Sequence, residues 1–224
     1  MDMDSKKRRK AQKGHKIQFF SDITRKFYQL WPTKTVPALR INAVPMHRFA
    51  KVDPAEHTRR IIEAAKPSGK VLDICTGLGY SAIAAAKIRN VREVSTIEKD
   101  SEVLHIAKLN EASAELFKNP KIKIIEGDAT QKIGEFAGGS FDSVIHDPPT
   151  FVVAPELYTA AFCQELYRVL KIGGRLWFYA AEPGKAGAGG NASGLSERII
   201  RNLQLAGFKD TRHDGASTGI IARK

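Results

Sequence analysis

Residues 70–79, Lys-Val-Leu-Asp-Ile-Cys-Thr-Gly-Leu-Gly, constrain this chain more than any other stretch. An apolar run (Val71, Leu72, Ile74) surrounds one acid, Asp73, and leads into Gly77-Leu-Gly79. The helix-forming series Ser81-Ala-Ile-Ala-Ala-Ala-Lys87 follows at once. The pattern predicts a buried strand, a tight turn stripped of side chains, and a helix whose first turn faces whatever the turn holds. Gly77 and Gly79 let the backbone approach a ligand closely. Asp73 falls at the strand's carboxyl end, where open α/β sheets bind their ligands. A Gly-x-Gly turn also has a purely structural reading.

Downstream spacing favours the ligand reading. The segment Glu93-Val-Ser-Thr-Ile-Glu-Lys99 carries Glu98 25 positions after Asp73, where a carboxylate can accept from both hydroxyls of a ribose. Lys121-Ile-Lys-Ile-Ile-Glu-Gly-Asp-Ala129 leads to Asp128, and Phe141-Asp-Ser-Val-Ile-His-Asp-Pro-Pro149 to Asp147. A single strand-end acid is usually a turn former or a helix cap. Four in succession, at βα spacing, need another explanation.

Strands are predicted near 70–75, 93–98, 121–125, 141–146 and 174–180. Helices are predicted near 79–90, 101–117, 130–136, 155–170 and 194–206. Such alternation implies a parallel sheet with helices on both faces, spanning residues 56–224. Residues 207–223 offer two short strands with a turn near Asp214-Gly215, an antiparallel hairpin. Before the alternating region, residues 17–55 carry Pro32, Pro37, Pro45 and Pro54, which forbid a long helix and predict an extended or strand-rich cap. The Gly-rich stretch 182–194 reads either as a linker or as a substrate loop in which Lys185 approaches a phosphate.

Charge narrows the partner. The chain carries a net +12. Residues 1–16 hold seven Lys or Arg against Asp2 and Asp4, a tail too polar to bury anything and expected to be disordered. It reads as a solubilising tail or as a grip on polyanions. The basic excess of the remainder points to nucleic acid. No apolar run approaches the ~20 residues of a membrane span, and the N-terminus is charged rather than signal-like. Cys75 and Cys163 have neither metal-ligand nor disulfide spacing. A cytoplasmic, metal-free protein is the expectation.

Taken together, these motifs resemble the class I S-adenosylmethionine-dependent methyltransferases over residues 50–224. The resemblance implies a seven-stranded, mostly parallel Rossmann-like sheet with a C-terminal antiparallel hairpin. It also implies a cofactor site built from Asp73, Cys75, Thr76, Gly77, Gly79, Tyr80, Ser81, Glu98, Lys99, Asp128 and Ala129. In that comparison Glu98 matches the ribose-binding acid, and Gly127-Asp-Ala129 the adenine-binding loop. Cys75 replaces the family's first glycine, so the turn geometry is expected to differ there. A nicotinamide enzyme would show a third glycine where this chain has Ser81 and Ala82. His146-Asp-Pro-Pro-Thr-Phe151 is similar to the fourth motif of the amino-methylating branch, which implies Asp147, Pro148, Pro149, Thr150 and His146 as catalytic residues.

Two consecutive prolines stiffen that loop and remove two backbone donors. Their carbonyls and the Asp147 carboxylate would accept from a flat –NH2 group and orient it. In the branch an aromatic residue usually follows the two prolines; here Thr150 does, with Phe151 one step later, so Phe151, Tyr158 or Phe162 would supply the stacking face. His146 reads either as strand-end packing or as a proton acceptor. Pro45-Met-His-Arg48, Ile97-Glu-Lys99 and Glu156-Leu-Tyr158 add a narrower resemblance to archaeal enzymes held to dimethylate a cytidine amine in ribosomal RNA. It implies His47 and Arg48 near the cofactor mouth. Alternatives are an aminopropyl transferase using decarboxylated S-adenosylmethionine, a small-molecule methyltransferase, and a non-catalytic RNA-binding module.

Overall fold

Val71, Leu72 and Ile74 alternate between two separate cores, and that alternation sets the architecture. In the computed structural model, which describes residues 17–47, 51–180 and 192–224, Gly69–Ile74 forms an interior strand, β5, of a seven-stranded sheet. Its neighbours are β6 (Val91–Glu98), β7 (Ile122–Glu126), β8 (Phe141–His146), β9 (Leu170–Tyr179), β10 (Lys209–Asp214) and β11 (Gly219–Arg223), in the order β10-β11-β9-β8-β5-β6-β7. β5 to β9 pair in parallel, whereas β11 runs antiparallel to both β9 and β10. The expected sheet and its terminal hairpin are therefore both present. Sequence order reverses between β5 and β8, which makes their carboxyl ends the topological switch point.

Both faces are covered. On one side Val71, Val94, Ile145 and Trp177 pack with α1 (Pro54–Ala65), α2 (Tyr80–Ala86) and α3 (Ser101–Leu109). On the other, Leu72, Val144, Leu176, Phe178 and Ile220 pack with α6 (Ala160–Val169) and α7 (Ala192–Ala206). The single helix expected over 101–117 is broken. Asn110 turns to extended backbone and its side chain accepts from the Ala112 amide, starting a short 3-10 turn and then α4 (Ala114–Lys118). Similarly, α5 (Ala129–Lys132) continues as a 3-10 turn, and a 3-10 turn at Pro155–Tyr158 precedes α6.

The proline-rich segment forms a second sheet, an antiparallel meander of β1 (Gln18–Ser21), β2 (Lys26–Trp31), β3 (Ala38–Ile41) and β4 (Val44–Pro45). Tyr28, Leu30 and Leu39 turn inward and join the core beneath α3. Asp53, the N-cap of α1, accepts from the Thr33 and Thr35 hydroxyls and so fastens the β2–β3 loop to the larger sheet. The basic tail, Arg48 and Lys185 lie outside the described residues. Among those described, no helix is long and apolar enough to cross a membrane, and no cluster of His, Cys, Asp or Glu is arranged to hold a metal.

Candidate active site

The turn leaving β5 has three residues at positive φ: Cys75 (72°), Gly77 (55°) and Gly79 (78°). The cysteine thus adopts the backbone conformation that glycine favours, and the turn keeps its shape at a strain cost of about 1–2 kcal/mol. Burial pushes its thiol well above the usual range. The Cys75 and Thr76 amides both donate to the Ile97 carbonyl at 3.0 Å, tying the turn to β6. The two glycines have different reasons to be glycine. A Cβ at Gly79 would lie 2.6 Å from Leu116, whereas one at Gly77 would meet nothing within 4 Å. Gly79 is required by packing; Gly77 borders open space.

Asp73 is fully buried, and its carboxylate is taken up by the protein. One oxygen accepts from Ser81 Oγ at 2.7 Å, the other from Thr96 Oγ1 at 2.6 Å. Thr96 also shares a 2.6 Å contact with Thr76 Oγ1. Burial lifts this carboxyl to about 6, against the pull of the two hydroxyls. Asp73 therefore holds β5, β6 and the start of α2 in one geometry. Thr76 and Ser81, expected at the cofactor, serve the same brace.

Glu98, at the end of β6, faces the turn. Its Oε2 accepts from the Gly77 amide at 2.9 Å and its Oε1 from the Asp100 amide at 3.0 Å; burial raises its pKa. Asp100 is in turn gripped by the N-terminal sheet, through Tyr28 Oη at 2.8 Å and Lys26 Nζ at 3.4 Å. Asp128 caps α5, accepting from the Thr130 amide and hydroxyl, which hold its pKa below the ordinary value. The Lys99 ammonium stands between Asp128 (3.6 Å) and Glu156 (3.7 Å). Ala129 is buried at the first turn of α5.

Asp147 differs from these acids. Its amide donates to the Ile74 carbonyl at 3.2 Å, fixing it at the switch point, but its carboxylate receives no donor from the described residues. Burial, with Asp73 nearby, pushes its pKa to about 7. The next two prolines are not equivalent. The Pro149 carbonyl accepts from Tyr158 Oη at 2.8 Å, so of the two proline acceptors expected to be open, only Pro148 has no donor among the described residues. Thr150 is exposed, and its carbonyl closes a turn with the Val153 and Ala154 amides.

His146 corrects the expectation of a direct chemical role. It is 0% exposed, wedged against Phe178 and Phe162 with ring centroids 4.4 and 5.1 Å away. Nε2 donates to the Leu157 carbonyl at 3.1 Å, Nδ1 is buried with no donor among the described residues, and burial lowers the pKa to about 3. The parity of β8 turns this neutral imidazole away from the mouth and into the core. Tyr158 and Phe162 are likewise core residues, 2% and 4% exposed. Phe151 remains as the ring at the mouth, edge-on to Tyr158 and covered on one face by the Arg198 guanidinium at 4.4 Å. On the opposite side, His47 Nδ1 accepts from the Leu39 amide and its ring lies 5.6 Å from Tyr80, itself bonded to the Pro37 carbonyl.

The sequence reading missed Thr96, Asp100, Tyr28 and Arg198. Thr96 was visible only as a hydroxyl two residues before the strand-end acid; the others belong to elements whose approach no local pattern announces. The residues present fit an adenosyl sulfonium cofactor: open space at Gly77, free lone pairs on Glu98, and an unpaired carboxylate at Asp147 suited to a cation. Glu98 would hold the ribose, and Asp128 with Ala129 would border the base.

Residues 49–187 match the family model described as the methyltransferase small domain. An uncharacterised protein of Methanocaldococcus jannaschii is 44% identical over 200 residues, 88% of this chain and 67% of that protein. A polyamine aminopropyltransferase of Streptomyces coelicolor is 27% identical over 120 residues, 51% of this chain and 22% of that protein. Among solved structures, spermidine synthase from Thermotoga maritima shares the fold with a TM-score of 0.68 at 18% identity, covering 92% of this chain and 71% of its own.

Proposed function

The chain belongs to the methyltransferase small domain family, and from that premise we propose that it methylates an exocyclic amine of an RNA base, N4 of cytidine in ribosomal RNA, using S-adenosylmethionine. The observation that carries this reading is the Asp147 carboxylate: set at the switch point, raised to about 7 by burial, and given no donor among the described residues.

S-adenosylmethionine supplies the methyl as an activated electrophile. The protein's task is positioning. Asp147 and the Pro148 carbonyl accept the two N–H groups of a planar amine, which leaves the nitrogen lone pair directed at the methyl. As the N–C bond forms, the methyl–sulfur bond would break and the sulfur would leave as a neutral thioether; the proton then lost by the nitrogen could pass to the Asp147 carboxylate, whose pKa lies near 7. Tyr158 stiffens the loop by holding Pro149. Phe151 offers a ring at the mouth, and the basic surface and tail attract the RNA backbone. The target base must leave its stack to enter, which favours a single-stranded site.

The likeness to spermidine synthase and to a polyamine aminopropyltransferase favours a second reading, aminopropyl transfer from decarboxylated S-adenosylmethionine. A cationic polyamine needs several carboxylates along its length. Residues 147–154 supply one, and the next acid, Glu156, is paired with Lys99.

Mass spectrometry of ribosomal RNA nucleosides from cells lacking the gene tests the proposal. Loss of a methylated cytidine, restored by the wild-type gene and not by Asp147→Ala, supports it. Unchanged nucleosides with depleted spermidine support the second reading.

A further inference from the structure

The N-terminal meander has two unlike faces. Tyr28, Leu30 and Leu39 pack inward, whereas the opposite parity carries Phe20 and Phe27, paired directly across β1 and β2 and 53% and 37% exposed. Beside this pair runs a row in register across all four strands: Gln18, Gln29, Arg40 and Pro45. Gln29 donates to Gln18 at 2.6 Å. The Arg40 guanidinium lies 4.4 Å over Trp31 and donates to the Ala43 carbonyl at 3.1 Å; among the described residues it has no carboxylate partner, and its buried Nε has no acceptor. Arg25 reaches over Phe20 at 5.8 Å and lies 3.7 Å from Asp22 in an exposed pair that a phosphate can displace. Solvent faces of small sheets usually carry scattered polar residues, and a contiguous patch of exposed rings marks an interaction site.

Charge identifies the occupant. Residues 17–47 hold Arg25, Lys26, Lys34 and Arg40 against one acid, Asp22, and the sixteen residues before them add a further +5 in sequence. We propose that this outer face binds single-stranded RNA, with bases stacking on Phe20 and Phe27, the amides of Gln18 and Gln29 meeting base edges, and Arg40 and Arg25 meeting phosphates. Rings interleaved with cations are the general device for holding unpaired strands, because every base has a face to stack. A second copy of the chain is disfavoured: a twofold interface sets a patch against itself, which would gather the Arg25 and Arg40 cations of both copies in one interface. The inference rests on the RNA reading above but concerns a surface of the smaller sheet rather than the strand-end acids.

The test is fluorescence anisotropy of the full chain with a short fluorescein-labelled single-stranded RNA, beside the Phe20→Ala/Phe27→Ala and Arg40→Gln variants. Circular dichroism and calorimetric titration of S-adenosylmethionine serve as controls for fold and site. The double variant should bind RNA roughly 10- to 100-fold more weakly, with cofactor binding unchanged. Arg40→Gln should lower the salt dependence by about one phosphate contact. Equal RNA binding by wild type and double variant, with rRNA methylation intact, overturns the docking face alone. A wild type that neither binds nor methylates RNA overturns the function first, and this surface with it. A dimer that Phe20→Ala/Phe27→Ala splits without weakening RNA binding assigns the face to a second copy and also overturns the inference.

Discussion

Asp147 and Asp73 stand at the ends of adjacent strands, the Asp147 amide bonded to the carbonyl of Ile74 one residue beyond Asp73, yet the side-chain donors go to Asp73 alone. One carboxylate braces the fold. The other receives no donor from the described residues, a cost to stability that the proposed role in holding a ligand would explain.

That cost is measurable. The native state holds the Asp147 proton up to about pH 7, well above an ordinary aspartate, so ionisation penalises the folded form. The penalty is absent below about pH 4, grows between pH 4 and 7, and is complete above 7. Asp147→Asn should therefore stabilise the protein at pH 8, on the order of 1–3 kcal/mol, with the gain fading toward pH 4. Thermal melts of both proteins across this range check it.

Activity should run the other way. An acceptor of N–H groups and of a proton must be ionised, so the methylation rate should climb with pH and level off above about 7. Asp147→Ala should lose roughly 100- to 10,000-fold above pH 7, with a deficit that narrows toward pH 5, and show no such inflection. Initial rates with saturating substrates, measured from pH 5 to 9, give both profiles.

The glycine turn offers a paired test. Gly79→Ala drives a Cβ into Leu116 and should lower stability by roughly 2–4 kcal/mol. Gly77→Ala meets open space, so it should cost only about 1–2 kcal/mol of strain while weakening cofactor binding at least about tenfold. Denaturant titration separates the first effect, calorimetry with S-adenosylmethionine the second.

Much of this was legible in the chain. The βα rhythm and the acids at the ends of β5 to β8 needed only period, length and turn chemistry. The helix break at Asn110 and the inward turn of His146 were not legible. Asn110 acts by capping, which looks the same in sequence as a polar helix residue, and both faces of β8 are buried, so no alternation marks which way His146 points. Asp73 read as a ligand contact because its partners, Ser81 and Thr96, come from two other elements.

A coupling between the two sheets follows from Tyr28. Its hydroxyl holds Asp100, whose amide binds Glu98, which in turn holds the Gly77 amide. Tyr28→Phe removes one charge-assisted bond of about 1.5–3 kcal/mol at most. It should raise KM for the cofactor severalfold with little change in kcat. Steady-state kinetics with varied S-adenosylmethionine checks the split.

The most direct measurement is a competition. Purified protein is given S-adenosylmethionine and decarboxylated S-adenosylmethionine together, with unmodified ribosomal RNA and putrescine as acceptors, and the products are read by mass spectrometry. The account predicts methylated cytidine in the RNA and no spermidine, with the RNA product lost in Asp147→Ala. Spermidine from the wild type, with the RNA unmodified, would contradict it.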